Sequence, residues 1–220
     1  MARVVVTGAN RGIGLEIVKQ LSDRGDSVAA ICRRSSPELD ATGVDVFDGV
    51  DVGDDNSVAE LSNRLSQESV DMVINNAGIL TSEGIADLNW DRMRQQFEIN
   101  TLGPLRVSVA LLPRMADNGK IGILTSRVGS MADNTSGGMY GYRMSKAAAN
   151  MAGVNLAHDL RPRGIAVFLL HPGYVRTGMT GGQGFCDADE AARGIIDRMD
   201  TLTLEETGTF WHANGEALLW

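Results

Sequence analysis

Apolar residues fall in short runs separated by longer amphipathic stretches. The short runs cover positions 3–7, 27–32, 44–50, 70–75, 120–125, 165–171 and 208–212. Most are rich in valine and isoleucine, and several show no polar alternation. That is the pattern of strands covered on both faces. Between them, positions 12–24, 56–67, 90–118, 136–161 and 187–199 read as helices. Strand-helix alternation predicts a parallel sheet with helices on both faces. Right-handed crossovers then give a doubly wound α/β fold of about seven strands, a Rossmann-type single domain over 1–220. The interval 34–43 has room for a short helix at most. The interval 178–186 holds Gly181, Gly182 and Gly184 and reads as a short flexible loop.

Composition narrows the class. A chain of 220 residues, 43% hydrophobic and 22% charged, can bury a sizeable core. A formal net charge of -8 lacks the basic surface that nonspecific nucleic-acid binding needs, so no nucleic-acid partner is expected. No apolar run is long enough to span a bilayer, and the first residues lack signal-peptide organisation. No membrane partner and a cytoplasmic location are therefore expected. Cys32 and Cys186 form neither a disulfide framework nor a ligand cluster, so reduced thiols and no metal are expected.

Candidate chemistry gathers in four places. Thr7-Gly8-Ala9-Asn10-Arg11-Gly12-Ile13-Gly14 joins the first strand to the first helix. Gly8 permits the tight turn, Gly12 lets the backbone approach a pyrophosphate, and Gly14 lets helix pack on strand. The helix N-terminus offers free N–H groups and partial positive charge to phosphates. Asn75-Asn76-Ala77-Gly78 follows the fourth strand. Tyr142 and Lys146 stand four residues apart, on one helix face. An ammonium beside a phenol favours the phenolate, so the pair can donate and accept a proton. Pro172-Gly173, followed by Thr177, comes after the sixth strand.

These four motifs, in this order, resemble the signatures of the short-chain dehydrogenases/reductases over nearly the whole chain. Tyr142-Arg143-Met144-Ser145-Lys146, with Gly215 and Trp220 near the C-terminus, looks most like the sniffer/C-factor branch of carbonyl reductases. The resemblance implies hydride transfer between a nicotinamide cofactor and a carbonyl or secondary alcohol. It makes Tyr142 the general acid or base. Lys146 lowers the Tyr142 pKa and bonds the nicotinamide ribose. A serine polarises the carbonyl oxygen. Asn100 holds a water that connects Lys146 to solvent; an Asn inside a helix is locally unfavourable, which fits a separate task. Ser126-Arg127-Val128-Gly129 fits the serine pattern. It lies farther before Tyr142 than in the family, as if 131–138 carried a small insertion, and Ser130 is its rival.

Cys32-Arg33-Arg34 stands where an acidic residue would bond the ribose 2′-hydroxyl of NAD. Arg33, with Arg34 and Arg11, suits a 2′-phosphate instead, so NADP(H) is expected over NAD(H). The resemblance puts Asp51 and Val52 at the adenine, and Asn76, Ala77 and Gly78 on the adenine-ribose side. Asn75 ties strands together. Asn10, Ile13, Pro172, Gly173, Val175 and Thr177 complete the cofactor set, which Tyr142 and Lys146 also border. Arg127 and Arg143 are candidates for an acidic substrate. Met139, Met144, Met179 and Phe185 are candidates for a soft apolar pocket wall. His158, His171 and His212 read as structural. Relatives assemble through two long helices, here those over 90–118 and 136–161, so a homodimer or homotetramer is expected. The alternative reading is a nucleotide-binding sensor or signalling protein of C-factor type with vestigial catalysis.

Overall fold

The computed structural model describes residues 1–65 and 69–220. Its seven strands are β1 (Arg3–Thr7), β2 (Ser27–Ile31), β3 (Asp45–Phe47), β4 (Val70–Asn75), β5 (Met115–Leu124), β6 (Ala166–His171) and β7 (Thr209–His212). All pairings are parallel, in the order β3-β2-β1-β4-β5-β6-β7. The chain starts at β1, winds outward to β3, then crosses back to β4 and winds outward to β7. The order therefore reverses between β1 and β4, where the strand ends open a crevice.

Helices cover both faces. They are α1 (Gly12–Asp23), α2 (Pro37–Asp40), α3 (Asp55–Arg64), α4 (Trp90–Phe97), α5 (Gly103–Leu111), α6 (Tyr140–Leu160) and α7 (Ala188–Thr201). α1 and α7 pack on one face with Val4 and Val6. α3, α5 and α6 pack on the other with Val5. Adjacent residues of β1 thus enter different cores, which is why the strand shows no polar alternation. Each such valine or isoleucine contributes roughly 1.5–3 kcal/mol by leaving water.

Several expected elements differ. The helix expected over 90–118 is two helices joined by a π-turn (Glu98–Leu102), and it ends at Leu111. Pro104 has no N–H for the carbonyl of Asn100 four residues back, which disrupts the α-helical ladder at that turn. Pro113 lacks the next donor, and the helix stops before it. β5 then starts early, with Met115 beside Val70 and Lys120 beside Met72, and the intervening residues bulge out. The strand expected over 44–50 shrinks to three residues, because Gly49 at φ 73 turns the chain away. α6 starts at Tyr140 rather than 136, since Gly137, Gly138 and Met139 all have positive φ. The helix expected over 56–67 runs Asp55–Arg64, capped by Asp54 Oδ1 accepting from Ser57 N at 2.7 Å; its expected positions 66 and 67 lie outside the described residues. The loop over 178–186 contains a 3-10 turn (Gly178–Thr180) and is pinned where Val175 bridges to Cys186.

Candidate active site

A cleft of about 670 Å³ opens at the sheet's reversal point. The turn after β1 lines it with Gly8, Asn10, Arg11, Gly12 and Ile13; Arg33 and Arg34 follow β2; Asp51 and Val52 follow β3; Asn76, Ala77 and Gly78 follow β4; Thr177 follows β6. Gly8 has φ 65, and a Cβ there would lie 2.8 Å from Ala77 Cα. Gly12 has φ 55, and its nearest neighbour would be Thr177 Cγ2 at 3.5 Å, so the turn stays open toward the cleft. Gly14 lies behind the turn: a Cβ would sit 2.3 Å from Gly8 O and 2.4 Å from Asn76 Nδ2. α1 has no side-chain cap and no acidic residue in its first turn. Its end keeps free N–H groups that suit a phosphate. Cleft size, glycine turn and open helix end together fit a dinucleotide.

Asn76 fixes this turn. Its Nδ2 donates to Thr7 O at 2.9 Å and Gly8 O at 3.1 Å. Thr7 Oγ1 accepts from Asn76 N at 3.1 Å and Ala77 N at 3.0 Å. Asn75, expected to join strands, instead donates to Ser108 Oγ on α5 at 3.1 Å, so it ties sheet to helix. The strand-joining task belongs to Asn76. Asp51 is free of helix capping, because Asp54 caps α3; Asp51 Oδ1 accepts from Gly53 N at 2.9 Å. Arg33 is exposed, with Nη1 3.9 Å from Asp51 Oδ2. Three guanidinium groups, from Arg11, Arg33 and Arg34, thus border the cleft. Val175 is buried, and Gly173, at φ 98, faces His212 and Cys186; neither Pro172, Gly173 nor Val175 lines the cleft itself.

Near the cleft's inner end, the Ser126 side chain lies close enough to the Tyr142 phenol to favour its ionised form. Ser130 does a different job: its Oγ accepts from Asp133 N at 3.1 Å and closes the following turn. Lys146 is buried, donates from Nζ to Leu124 O at 2.8 Å, and lies 5.7 Å from the centre of the Tyr142 ring. Burial pushes the Tyr142 phenol up to about 12, opposed by the nearby Ser126 side chain. Burial pushes Lys146 down to about 8. The expected lowering of the Tyr142 pKa by Lys146 is absent here, and desolvation governs both groups.

Asn100 occupies the π-turn, a feature that recurs at functional sites. Its Nδ2 donates to Ile79 O at 2.9 Å and Ser145 Oγ at 3.0 Å, and its Oδ1 accepts from Ile79 N at 2.8 Å. A Cβ on Gly78 would lie 3.2 Å from Asn100 Oδ1 and 3.7 Å from Lys146 Nζ. Both polar groups therefore converge on the missing side chain of Gly78.

Sequence reasoning missed several neighbours. Ile31, Cys32, Val50, Ile79 and Ile99 also line the cleft. Their apolar type gave no signal apart from core packing. Thr7 and Ser145 were legible only as residues inside the motifs. Arg127 is engaged by Asp133 at 2.9 Å and Glu216 at 3.4 Å. Arg143 donates to Val128 O and Ser136 Oγ. Neither guanidinium stands ready for an acidic substrate. His171 and His212 meet edge to face, centres 4.9 Å apart.

A parallel doubly wound sheet, a dinucleotide-sized cleft at its reversal and a serine, tyrosine and lysine beside it define the nucleotide-binding oxidoreductase class. The chain belongs to the short-chain dehydrogenase family, whose model matches residues 2–184. It is 47% identical to the 1-hydroxy-2-glutathionyl-2-methyl-3-butene dehydrogenase of Rhodococcus sp. (strain AD45), over 100% of both chains. It is 43% identical to the C-signal protein of Myxococcus xanthus, over 69% of this chain and 93% of that one. The NADPH-bound carbonyl reductase from chicken fatty liver superposes with a TM-score of 0.91 at 29% identity, covering 100% of this chain and 99% of that one.

Proposed function

We propose that the protein is an NADP(H)-dependent oxidoreductase acting between carbonyls and secondary alcohols, with Tyr142 as general acid and base. The carrying observation is Ser126 close beside Tyr142, with buried Lys146 5.7 Å from the Tyr142 ring centre, near a cleft bordered by arginines. Bound NADP(H) would supply hydride for reduction and accept it for oxidation. Gly8, Asn10, Gly12, Ile13 and the open end of α1 would hold the pyrophosphate. Asp51 and Val52 would meet the adenine, and Asn76, Ala77 and Gly78 the adjoining ribose. Pro172, Gly173, Val175 and Thr177 would shape the nicotinamide side. Arg33, with Arg34 and Arg11, favours a 2′-phosphate, because a planar guanidinium pairs phosphate oxygens two at a time. The NADPH-bound chicken reductase agrees with that preference.

A carbonyl oxygen placed between the Ser126 and Tyr142 hydroxyls accepts two hydrogen bonds. Both strengthen as negative charge develops on that oxygen. Tyr142 donates its proton to the resulting alkoxide, a far stronger base than a phenolate. Lys146, at about 8, gains and loses a proton close to neutral pH and so suits resupply of Tyr142. Asn100, converging with Lys146 on Gly78, extends that path. The glutathionyl alcohol named for the Rhodococcus relative favours bulky substrates.

The second reading, a C-factor type signalling protein, is favoured by the identity with C-signal. NADPH oxidation with a panel of ketones, aldehydes and quinones separates the two, with NADH run in parallel. Turnover removes the signalling-only reading. NADPH binding without turnover of any carbonyl removes the enzymatic one. Exposed Val109 on α5 and Met144 and Met151 on α6 support a homodimer or homotetramer through these helices, which light scattering would size. Among the described residues no helix is long and apolar enough to cross a membrane. The two free thiols accord with a cytoplasmic setting.

A further inference from the structure

Glu83 is a carboxylate only 1% exposed, and no salt bridge reaches it among the described residues. Its Oε2 accepts from Gln96 Nε2 at 3.3 Å, while its Oε1 is buried without a hydrogen-bond partner. A buried carboxylate in this state is costly, so its surroundings must repay it. Those surroundings are the first turn of α6, which carries Tyr142. Glu83 O accepts from Tyr140 N at 3.3 Å. The residue before α6, Met139, has φ 48 and supplies no side-chain cap. The helix therefore has no side-chain cap of its own, and the Glu83 carbonyl takes up one of its free N–H groups.

Gln96 links this point to the catalytic set. It is fully buried, and its Oε1 accepts from Thr81 N at 3.1 Å. One helical turn later, Asn100 bonds both backbone groups of Ile79. Two carboxamides thus fasten segment 79–83 to α4 and its π-turn. Gln96 Nε2 also occupies the space of a Gly141 side chain, 2.3 Å from where a Cβ would be. Asn100 Nδ2 reaches Ser145 Oγ, which donates to Tyr142 O at 2.8 Å. The turn bearing Tyr142 is gripped at Tyr140, Gly141 and Ser145 by one buried polar ladder.

The geometry points to Glu83, acting through Gln96, as a positioning residue that holds the Tyr142 hydroxyl against Ser126. This inference rests on the enzymatic reading above. A shift of about 1 Å in a catalytic group costs on the order of 10²-fold in rate. Glu83→Ala should lower kcat for the best carbonyl at least 10-fold, while the Kd for NADPH, read by fluorescence, stays within about 3-fold of the parent. Amide exchange by mass spectrometry should quicken in 140–145 and stay unchanged in β1 and α1. Glu83→Gln keeps the reach and an acceptor oxygen, so it should restore most of kcat. Glu83→Asp keeps the carboxyl group but shortens the reach, so it should not. The Gln and Asp pair decides the matter if Glu83→Ala fails to fold. Unchanged kcat in Glu83→Ala, or equal kcat in the Gln and Asp variants, overturns the positioning role. A parent protein that binds NADPH but reduces no carbonyl overturns the enzymatic reading instead.

Discussion

Tyr142 and Lys146 show how burial and function pull against each other at single residues. Burial, opposed by Ser126, leaves the phenol near 12, and burial alone leaves the ammonium near 8. Tyr142→Phe should remove nearly all turnover, with NADPH affinity largely kept; normal turnover in a steady-state assay would refute its role. Arg33 is exposed and held only loosely by Asp51, so its charge is available to a phosphate. Arg33→Ala should raise KM for NADPH about 10-fold, the scale of one charge-assisted bond, and leave KM for NADH nearly unchanged. His171 carries a different prediction. Burial, helped by the nearby charges of His212, Arg127 and Lys146, holds it at about 3. The unfolded chain then binds a proton between pH 6.5 and 3 that the folded chain does not. Stability therefore rises with pH across that window and is lost as pH falls through it. His171→Asn should flatten the acid side of a plot of Tm against pH. At this scale the sequence was most legible where chemistry dictates both residue type and spacing, as in Tyr142 and Lys146. It misled for Asn75 and Asn76, because adjacent side chains at a strand end point opposite ways and only the packed helix shows which is which.

Elements were legible where periodicity is strong and misread where a proline acts at a distance. Pro104 and Pro113 lie inside a continuous amphipathic pattern, yet one accompanies a π-turn and the other stops the helix. Apolar spacing does not register a missing N–H, so one helix was expected over 90–118. The consequence bears on the proposed proton path, since the π-turn is the element that bears Asn100. The β1–α1 unit is the opposite case, legible from three glycines because each has a steric task. Gly14 is the most constrained of them, with backbone oxygen at 2.3 Å from any Cβ. Gly14→Ala must push α1 off the turn. A loss of about 1–3 kcal/mol is expected, as for other overpacked sites. That corresponds to a Tm drop of roughly 2–12 °C for a chain this size. NADPH affinity should fall with it, because the same oxygen belongs to the phosphate turn. Thermal melts with and without NADPH would show both effects; a Tm within 1 °C of the parent, on the scale of ~2–4 °C per kcal/mol, would contradict the packing argument.

The whole molecule places its two kinds of chemistry on opposite sides of one reversal in the sheet. β1, β2 and β3 bring the glycine turn, Arg33 and Asp51; β4, β5 and β6 bring Asn76, Ser126 and Thr177, with α6 adding Tyr142 and Lys146. Between β1 and β4, the direct ties at the strand ends are few, chiefly those of Asn76 to Thr7 and Gly8. A ligand lying across the reversal adds a bridge present only in the folded state. Its stabilisation follows mass action, about 2.7 kcal/mol at one hundred times Kd. For a chain of 220 residues that raises Tm by roughly 5–10 °C. The two dinucleotides differ only by the 2′-phosphate, so the difference in their shifts isolates what the arginines add. At equal concentrations NADPH should raise Tm several degrees more than NADH. In Arg33→Ala the NADPH shift should fall toward that of NADH, while the NADH shift holds, because the remaining contacts across the reversal are unchanged. Equal shifts in the parent protein would mean that the guanidinium groups do not reach the ribose, and the cofactor preference would fall even if the oxidoreductase assignment stood.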